Sequence, residues 1–341
     1  MPFDPLERRT LGRTDVTVTR LGLGGASIGG LYRGVAFDDA VGVIRRAWEI
    51  GVRHFDTAPL YGYGASEERF GAGLADRPRD HFTLSTKVGR LVVRRDAITA
   101  DMDVDRQIVD GRENGAYADT ADRRIVFDYS ADGVRRSLEA SLVRLGVDRI
   151  DVALIHDPDE HWRPAIGEAF PALARLREQG VIRAIGVGMN QAPMLARFAR
   201  EGDFDVFLVA NRYTLLDQEA FDELLPLCVE RRISVMIGGV MNSGILADPR
   251  PGSRFDYGSA APEVIDRARH LAAICARHDV SLKAAAVQFP LAHSAVVSVI
   301  AGVRSVAHLD EYVELYRRPI PAALWADLRD EGLIPPEAPT P

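Results

Sequence analysis

The 341-residue chain contains only two cysteines, Cys228 and Cys275, and only two lysines, Lys87 and Lys283. So few cysteines exclude a secreted disulfide framework, and neither has the closely spaced partners that a zinc site requires. Both fall in helical patterns and read as small buried apolar residues. No apolar run approaches the ~20 residues of a membrane span, and the opening MPFDPLERRT has no apolar leader core. A cytoplasmic protein is therefore expected. An excess of basic charge is missing as well. The formal charge is −7 at pH 7, which argues against nucleic acids and anionic membranes as partners. The acidic stretch holding Asp101, Asp103, Asp105, Arg112, Glu113 and Asp119 lacks the spacing of a calcium loop, so no metal is expected.

What the chain does have is alternation. Short Val-, Ile- and Leu-rich runs lie at Leu21–Ala26, Arg53–Asp56, Thr83–Lys87, Val152–His156, Ile182–Val187, Val206–Ala210, Ser234–Gly238 and Val296–Ala301. Helical spacing separates them near 38–50, 66–74, 130–145, 164–179, 191–200, 217–231, 262–278 and 306–317, with a shorter helix at Ser281–Phe289. Strands apolar on both faces and regularly followed by helices predict an α/β fold, a closed (β/α)8 TIM barrel. The rival is a doubly wound open sheet, which wants G-x-G-x-x-G between the first strand and its helix. The glycines of LGLGGASIGG are spaced differently. Arg9–Leu11 and Val16–Thr19 read as an N-terminal β-hairpin plugging the bottom of the barrel. Residues 90–125 form a long polar loop after the third strand, placed to cover the mouth as a lid. No internal boundary stands out, so residues 1–341 are expected to be one domain.

In a parallel barrel all strand C-termini lie on one rim. Asp56 ends the second strand, with Tyr61 in the loop beyond it, Lys87 ends the third and His156 the fourth. Lys87 stands out because nearly every other basic residue is arginine. A lysine on a buried strand suggests that a compact ammonium is needed there, and a buried ammonium needs a partner, for which Asp56 is placed. An ammonium ~4 Å from a phenolate at an effective dielectric of ~20 favours the phenolate by ~4 kcal/mol. Partial cancellation by Asp56 leaves an expected lowering of the Tyr61 pKa by ~1–2 pH units. That brings a phenol toward acid–base work near neutrality, with His156 binding the substrate oxygen.

At these residues the chain resembles the aldo-keto reductase superfamily. The likeness lies in DTAPLYGYGASEERFG, STKVGR, LIHDPD and AGVRSVAHLDEYVE, in that order and over nearly the whole length. The resemblance implies an oxidoreductase with Asp56, Tyr61, Lys87 and His156 as catalytic tetrad, acting on a small molecule with a nicotinamide cofactor. It implies cofactor contacts at Asn190, Asn211, Gly238, Gly302, Val303, Arg304 and His308. Two positions depart from the common pattern: GVGMN replaces G-V-S-N, and Gly238-Gly239 replaces a stacking aromatic. Arg304 is the single basic residue near the implied adenosine phosphate, which favours NAD over NADP without excluding NADP. GLGGASIGGLY and the segment from Val126 to Asp151 resemble the branch containing L-fucose/D-threo-aldose 1-dehydrogenases, L-galactose dehydrogenase and pyridoxal 4-dehydrogenase. That branch implies oxidation of a sugar hemiacetal at C1 to a lactone, with Ser27, Tyr32, Tyr129 and Trp162 shaping the pocket. Alternatives are pyridoxal oxidation, NADPH-dependent aldehyde or ketone reduction, and a nicotinamide-binding regulatory subunit. The oligomeric state stays open.

Overall fold

The computed structural model describes residues 3–106, 117, 118, 120 and 122–341. Eight parallel strands close into a barrel. They are β1 (Leu21–Gly24), β2 (His54–Asp56), β3 (Thr83–Val88), β4 (Val152–His156), β5 (Ala184–Met189), β6 (Val206–Ala210), β7 (Ser234–Gly238) and β8 (Val296–Ala301). Each pairs with its chain neighbours, and β8 closes the ring on β1 through Val299 opposite Leu21. Parallel pairing on both sides satisfies the backbone of even three-residue β2, so short apolar runs suffice.

The helices around the barrel form where apolar residues recur on one face and caps are available. Phe37–Ile50 buries Ala40, Val43, Ile44 and Ala47 and places Asp38 and Asp39 in its first turn, where acidic side chains oppose the positive end of the helix dipole. Ala131–Leu145 starts on Ser130, whose hydroxyl accepts from the Gly133 amide, as an N-cap should. Cys228 and Cys275 are free and buried, and burial pushes their thiols up to about 12 and about 11.

Several boundaries differ from expectation, among them the first strand, which ends at Gly24 where Gly25–Ile28 turns helical, and three more have a visible local setting. Strand β5 begins at Ala184, two residues late, because the Val181 and Ile182 amides are used by Leu176 O to finish the preceding helix. The shift carries Met189 into the sheet and leaves Asn190 on the rim. The expected helix at 217–231 forms only as Leu224–Arg231. Thr214 takes the Leu216 and Asp217 amides onto its hydroxyl, a local turn that competes with helix. The long loop after β3 starts and ends as a hairpin, Arg90–Arg94 against Arg123–Phe127. Arg112, Glu113 and Asp119 of that loop lie outside the described residues.

The N-terminal hairpin pairs Arg8–Thr10 with Thr17–Thr19. It sends Leu11, Val16 and Val18 into the barrel interior with Val152, Leu154, Val206, Leu208, Met236 and Ile300. Gly12 N donates to Ser234 Oγ at the start of β7 (2.7 Å) and Thr83 Oγ1 at the start of β3 donates to Thr17 O (2.7 Å). The hairpin thus closes the N-terminal end, and the C-terminal rim is left for chemistry. No helix among the described residues is long and apolar enough to cross a membrane.

Candidate active site

Asp56, Lys87 and His156 end three adjacent strands and are all buried. Lys87 Nζ lies 2.8 Å from Asp56 Oδ2 and donates to Thr57 O at 2.9 Å. The other Asp56 oxygen accepts from Ser85 Oγ at 2.7 Å, and Ser85 Oγ lies 3.3 Å from His54 Nε2. The carboxylate is therefore held from both sides, and the ammonium has a fixed direction. Above it sits Tyr61, with Lys87 Nζ 4.6 Å from its ring centroid. The Tyr61 and His156 rings meet edge to face, 5.6 Å apart.

The electrostatics of Tyr61 run opposite to the expectation from Lys87 alone. Burial pushes the phenol well above its ordinary value, and Asp56, Tyr117, Asp157 and Tyr257 add to the rise. The ring keeps some solvent contact, but protein crowds around it. The ammonium does not reverse this rise, its charge being shared with Asp56. Burial also holds His156 well below its ordinary pKa, with Arg90 and Lys87 acting in the same direction, so its imidazole is neutral. His54 is pushed down to about 4, chiefly by burial.

Other expected residues divide into those that reach the rim and those that do not. Asn190 follows β5 and Asn211 follows β6. Asn190 Nδ2 and Asn211 Oδ1 are buried with no hydrogen-bond partner among the described residues. Gly238 ends β7 beside Ala210 and Ile300. Gly239 has φ +66°, and a Cβ there would fall 2.2 Å from Asn211 Oδ1, so glycine keeps that amide accessible. Gly302 is exposed at the end of β8, with Ser27 Oγ 3.1 Å from where its Cβ would be. Ser27 thus stands at the β8 exit. Val303 is buried in the outer core. Arg304 donates to Leu31 O at 2.8 Å while its buried Nε has no partner among the described residues. Its neighbour in the field is a like charge, Arg33. His308 is exposed and donates its amide to Ser305 Oγ at the start of the helix Val306–Arg317.

Tyr32 lies near the mouth, its hydroxyl 3.3 Å from Ser243 Oγ and its ring under Arg254. Tyr129 turns inward instead of lining a pocket. Its hydroxyl donates to His156 O (2.6 Å) and Asp157 O (3.0 Å). Trp162 is not brought to the rim. It packs 4.4 Å from the Phe198 ring with the Arg197 guanidinium over it, because the turn it opens leans on the helix Ala192–Glu201.

Four residues near the site carry no role in the sequence reading. Tyr117, from the loop after β3, stacks 6.2 Å from Tyr61, and Leu31 bridges to it. Tyr257 sits at the tip of a hairpin, Arg254–Phe255 against Gly258–Ser259, 3.5 Å from Asn190 Oδ1. Arg90 is buried and pairs with Asp105 (2.8 Å) and Asp157 (3.2 Å). STKVGR and LIHDPD contain Arg90 and Asp157, and their charge beside Lys87 and His156 was the available signal.

A buried carboxylate–ammonium pair behind a phenol, with a neutral imidazole beside it, is an acid–base device for a carbonyl or alcohol oxygen. A sequence profile of the Aldo/keto reductase family matches residues 20–330. The chain belongs to that family and is an oxidoreductase acting on CH–OH groups, for which NAD(P)H is the redox partner. It is 42% identical over 326 residues to the D-threo-aldose 1-dehydrogenase of a Pseudomonas species, covering 94% of this chain and 96% of that protein. It is 43% identical over 341 residues to the pyridoxal 4-dehydrogenase of Microbacterium luteolum, covering 96% and 98%. The L-galactose dehydrogenase of Arabidopsis thaliana is 29% identical, over 90% of this chain and 87% of that one. Among solved structures, the holo form of an aldo-keto reductase from Bacillus halodurans shares the fold, with TM-score 0.72, 24% identity and coverage of 95% and 96%.

Proposed function

We propose that the protein oxidises a cyclic hemiacetal to a lactone with NAD, the substrate being an aldose of the L-fucose, L-galactose or D-threo class. The observation that carries this reading is the convergence of Asp56, Lys87, Tyr61 and His156 at one rim. The likeness to a D-threo-aldose 1-dehydrogenase supplies the substrate class. Pyridoxal is the second reading, favoured by the equal likeness to a pyridoxal 4-dehydrogenase.

The residues present fit a nicotinamide dinucleotide. Asn190 and Asn211 offer one amide donor and one amide acceptor with no partner among the described residues, the complement of a primary carboxamide. Gly302, Arg304 and the Ser305-capped helix start face the β8 exit, where backbone amides and the helix dipole favour phosphate. Arg304, with Arg33 near it, supplies positive charge there, which we assign to the pyrophosphate and so to NAD. A bound nicotinamide would supply the hydride acceptor for the carbon being oxidised. The chain's own part is the proton. Tyr61 Oη takes it from the hemiacetal hydroxyl in oxidation and returns it in reduction. Lys87 stabilises the phenolate that burial opposes, and the neutral His156 imidazole orients the substrate oxygen by an N–H donor. We take the whole chain as one functional unit.

The test is the change in nicotinamide absorbance with NAD or NADP against L-fucose, L- and D-galactose, D-arabinose and pyridoxal. NADH formation with one aldose supports the proposal. Turnover of pyridoxal alone selects the second reading. Silence across the panel, with NADPH consumed by simple aldehydes, overturns both in favour of a reductase.

A further inference from the structure

Asp157, immediately after His156, has φ +38°. An aspartate in the left-handed region pays a conformational cost that the surroundings must impose, and such outliers concentrate where function needs them. The imposing contacts are specific. The Tyr129 hydroxyl spans the carbonyls of His156 and Asp157 (2.6 and 3.0 Å), and the Asp157 amide donates to Gly188 O at 3.0 Å. This turn folds the Asp157 carboxylate back over the site, with Oδ2 3.5 Å from His156 Nε2 and 3.2 Å from Arg90 Nη2. Arg90 is buried, lies 5.0 Å above the Phe127 ring, and pairs a second time with Asp105 from the segment after β3. A buried arginine holding two carboxylates is costly to assemble and uses side chains other than the Asp56–Lys87 pair.

The consequence falls on His156. Its imidazole is neutral, so one ring nitrogen carries hydrogen and the other a lone pair. Nδ1 is buried with no partner among the described residues. Nε2 faces a carboxylate. A lone pair turned toward a carboxylate is repelled, and an N–H there is attracted, so the carboxylate decides the tautomer.

We propose that Asp157, held by Arg90 and Tyr129, is a positioning residue that keeps the His156 proton on Nε2, making that nitrogen a hydrogen-bond donor to the substrate oxygen. This rests on the reading of His156 given above. Arg90 keeps Asp157 charged against the burial that pushes its carboxyl up to about 6, a rise to which Asp159 and Asp105 contribute and which Lys87 opposes. The hydroxyls of Tyr61, Tyr117, Tyr129 and Tyr257 also face this carboxylate. Because Asp105 shares Arg90, the segment that carries Asp105 is tied to the same device.

The experiment is nitrogen NMR of the full-length protein labelled in its imidazole rings, with His156→Gln used to assign the His156 signals. At neutral pH the wild type should show His156 protonated at Nε2 and bare at Nδ1. Asp157→Asn, and the milder Tyr129→Phe should the first fold poorly, should move population to the Nδ1–H form. An unchanged tautomer in both variants overturns the proposal. In turnover with the panel substrate that reacts, Asp157→Asn should lower kcat about tenfold or more, as loss of a carboxylate that fixes a catalytic histidine's tautomer does, leaving the KM for NAD unchanged. In a His156→Gln background the same change should alter kcat by no more than about twofold. Equal losses in the two backgrounds would also overturn it. Full activity of His156→Gln alone would instead defeat the underlying role of His156, and the NMR result would still decide the tautomer claim.

Discussion

Replacing Lys87 with methionine should destabilise the protein severely, and replacing Asp56 along with it should restore most of the loss. Lys87 and Asp56 are about as buried as side chains become, 1% and 2% exposed. Methionine keeps the stem's volume and apolar contacts but removes the cation 2.8 Å from Asp56 Oδ2 and the donor to Thr57 O. The carboxylate is then left with the Ser85 hydroxyl. An uncompensated buried charge of this kind costs about 3–5 kcal/mol. Asp56→Leu should cost a similar amount by stranding the ammonium. Removing both charges exchanges the pair for apolar packing and should lie within about 2 kcal/mol of the wild type. Reversible urea unfolding of the four proteins measures the cycle. The predicted coupling is at least about 4 kcal/mol, since the two single losses far exceed the double one. A Lys87→Met loss below about 1 kcal/mol, or a double-variant loss equal to the sum of the singles, would refute this view of the pair.

Two further outcomes follow from other sites. His54 sits at about 4 in the fold against an ordinary 6.5, so below pH 6.5 the unfolded chain takes a proton that the folded one refuses. Stability from this group is complete above pH 6.5 and is lost as pH falls to about 4, by up to about 3 kcal/mol. Asp157, pushed up to about 6, works in the opposite sense over part of that window. The contrast between wild type and His54→Asn isolates His54: the variant's melting temperature should fall less steeply with acid, and parallel profiles would contradict the assignment. Gly89→Ala should cost activity as well as stability. Gly89 has φ +96°, and its Cβ would lie 2.1 Å from Tyr129 Cε1, displacing the ring that braces His156 O. Wild-type kcat in this variant would show that the brace is dispensable.

The barrel strands were legible because burial on both faces writes Val, Ile and Leu in short uninterrupted runs. Lys87 was legible through its rarity. Boundaries failed where local hydrogen bonds overrode pattern, as Leu176 does before β5 and Thr214 before Leu224–Arg231. Tyr117 and Tyr257 come to the site on loops whose placement depends on contacts distant in sequence, and loops carry no periodicity to read. Trp162 packs on Phe198 for a related reason: closeness to His156 in sequence does not say which way the next turn faces. The direction of the Tyr61 shift failed because Coulomb's law between two residues omits the desolvation that the whole fold imposes. Asp157 depended on a backbone angle, which its residue type permits without announcing.

The central claim is that Tyr61 moves the proton at a site where the cofactor binds independently of that hydroxyl. Tyr61→Phe removes one oxygen and keeps the ring against His156 and Tyr117. Turnover of the reacting panel substrate should fall by about 10²–10⁴-fold, with the NADH dissociation constant, read by fluorescence, unchanged within a few-fold. A Tyr61→Phe enzyme retaining rates within a few-fold of wild type would contradict the account.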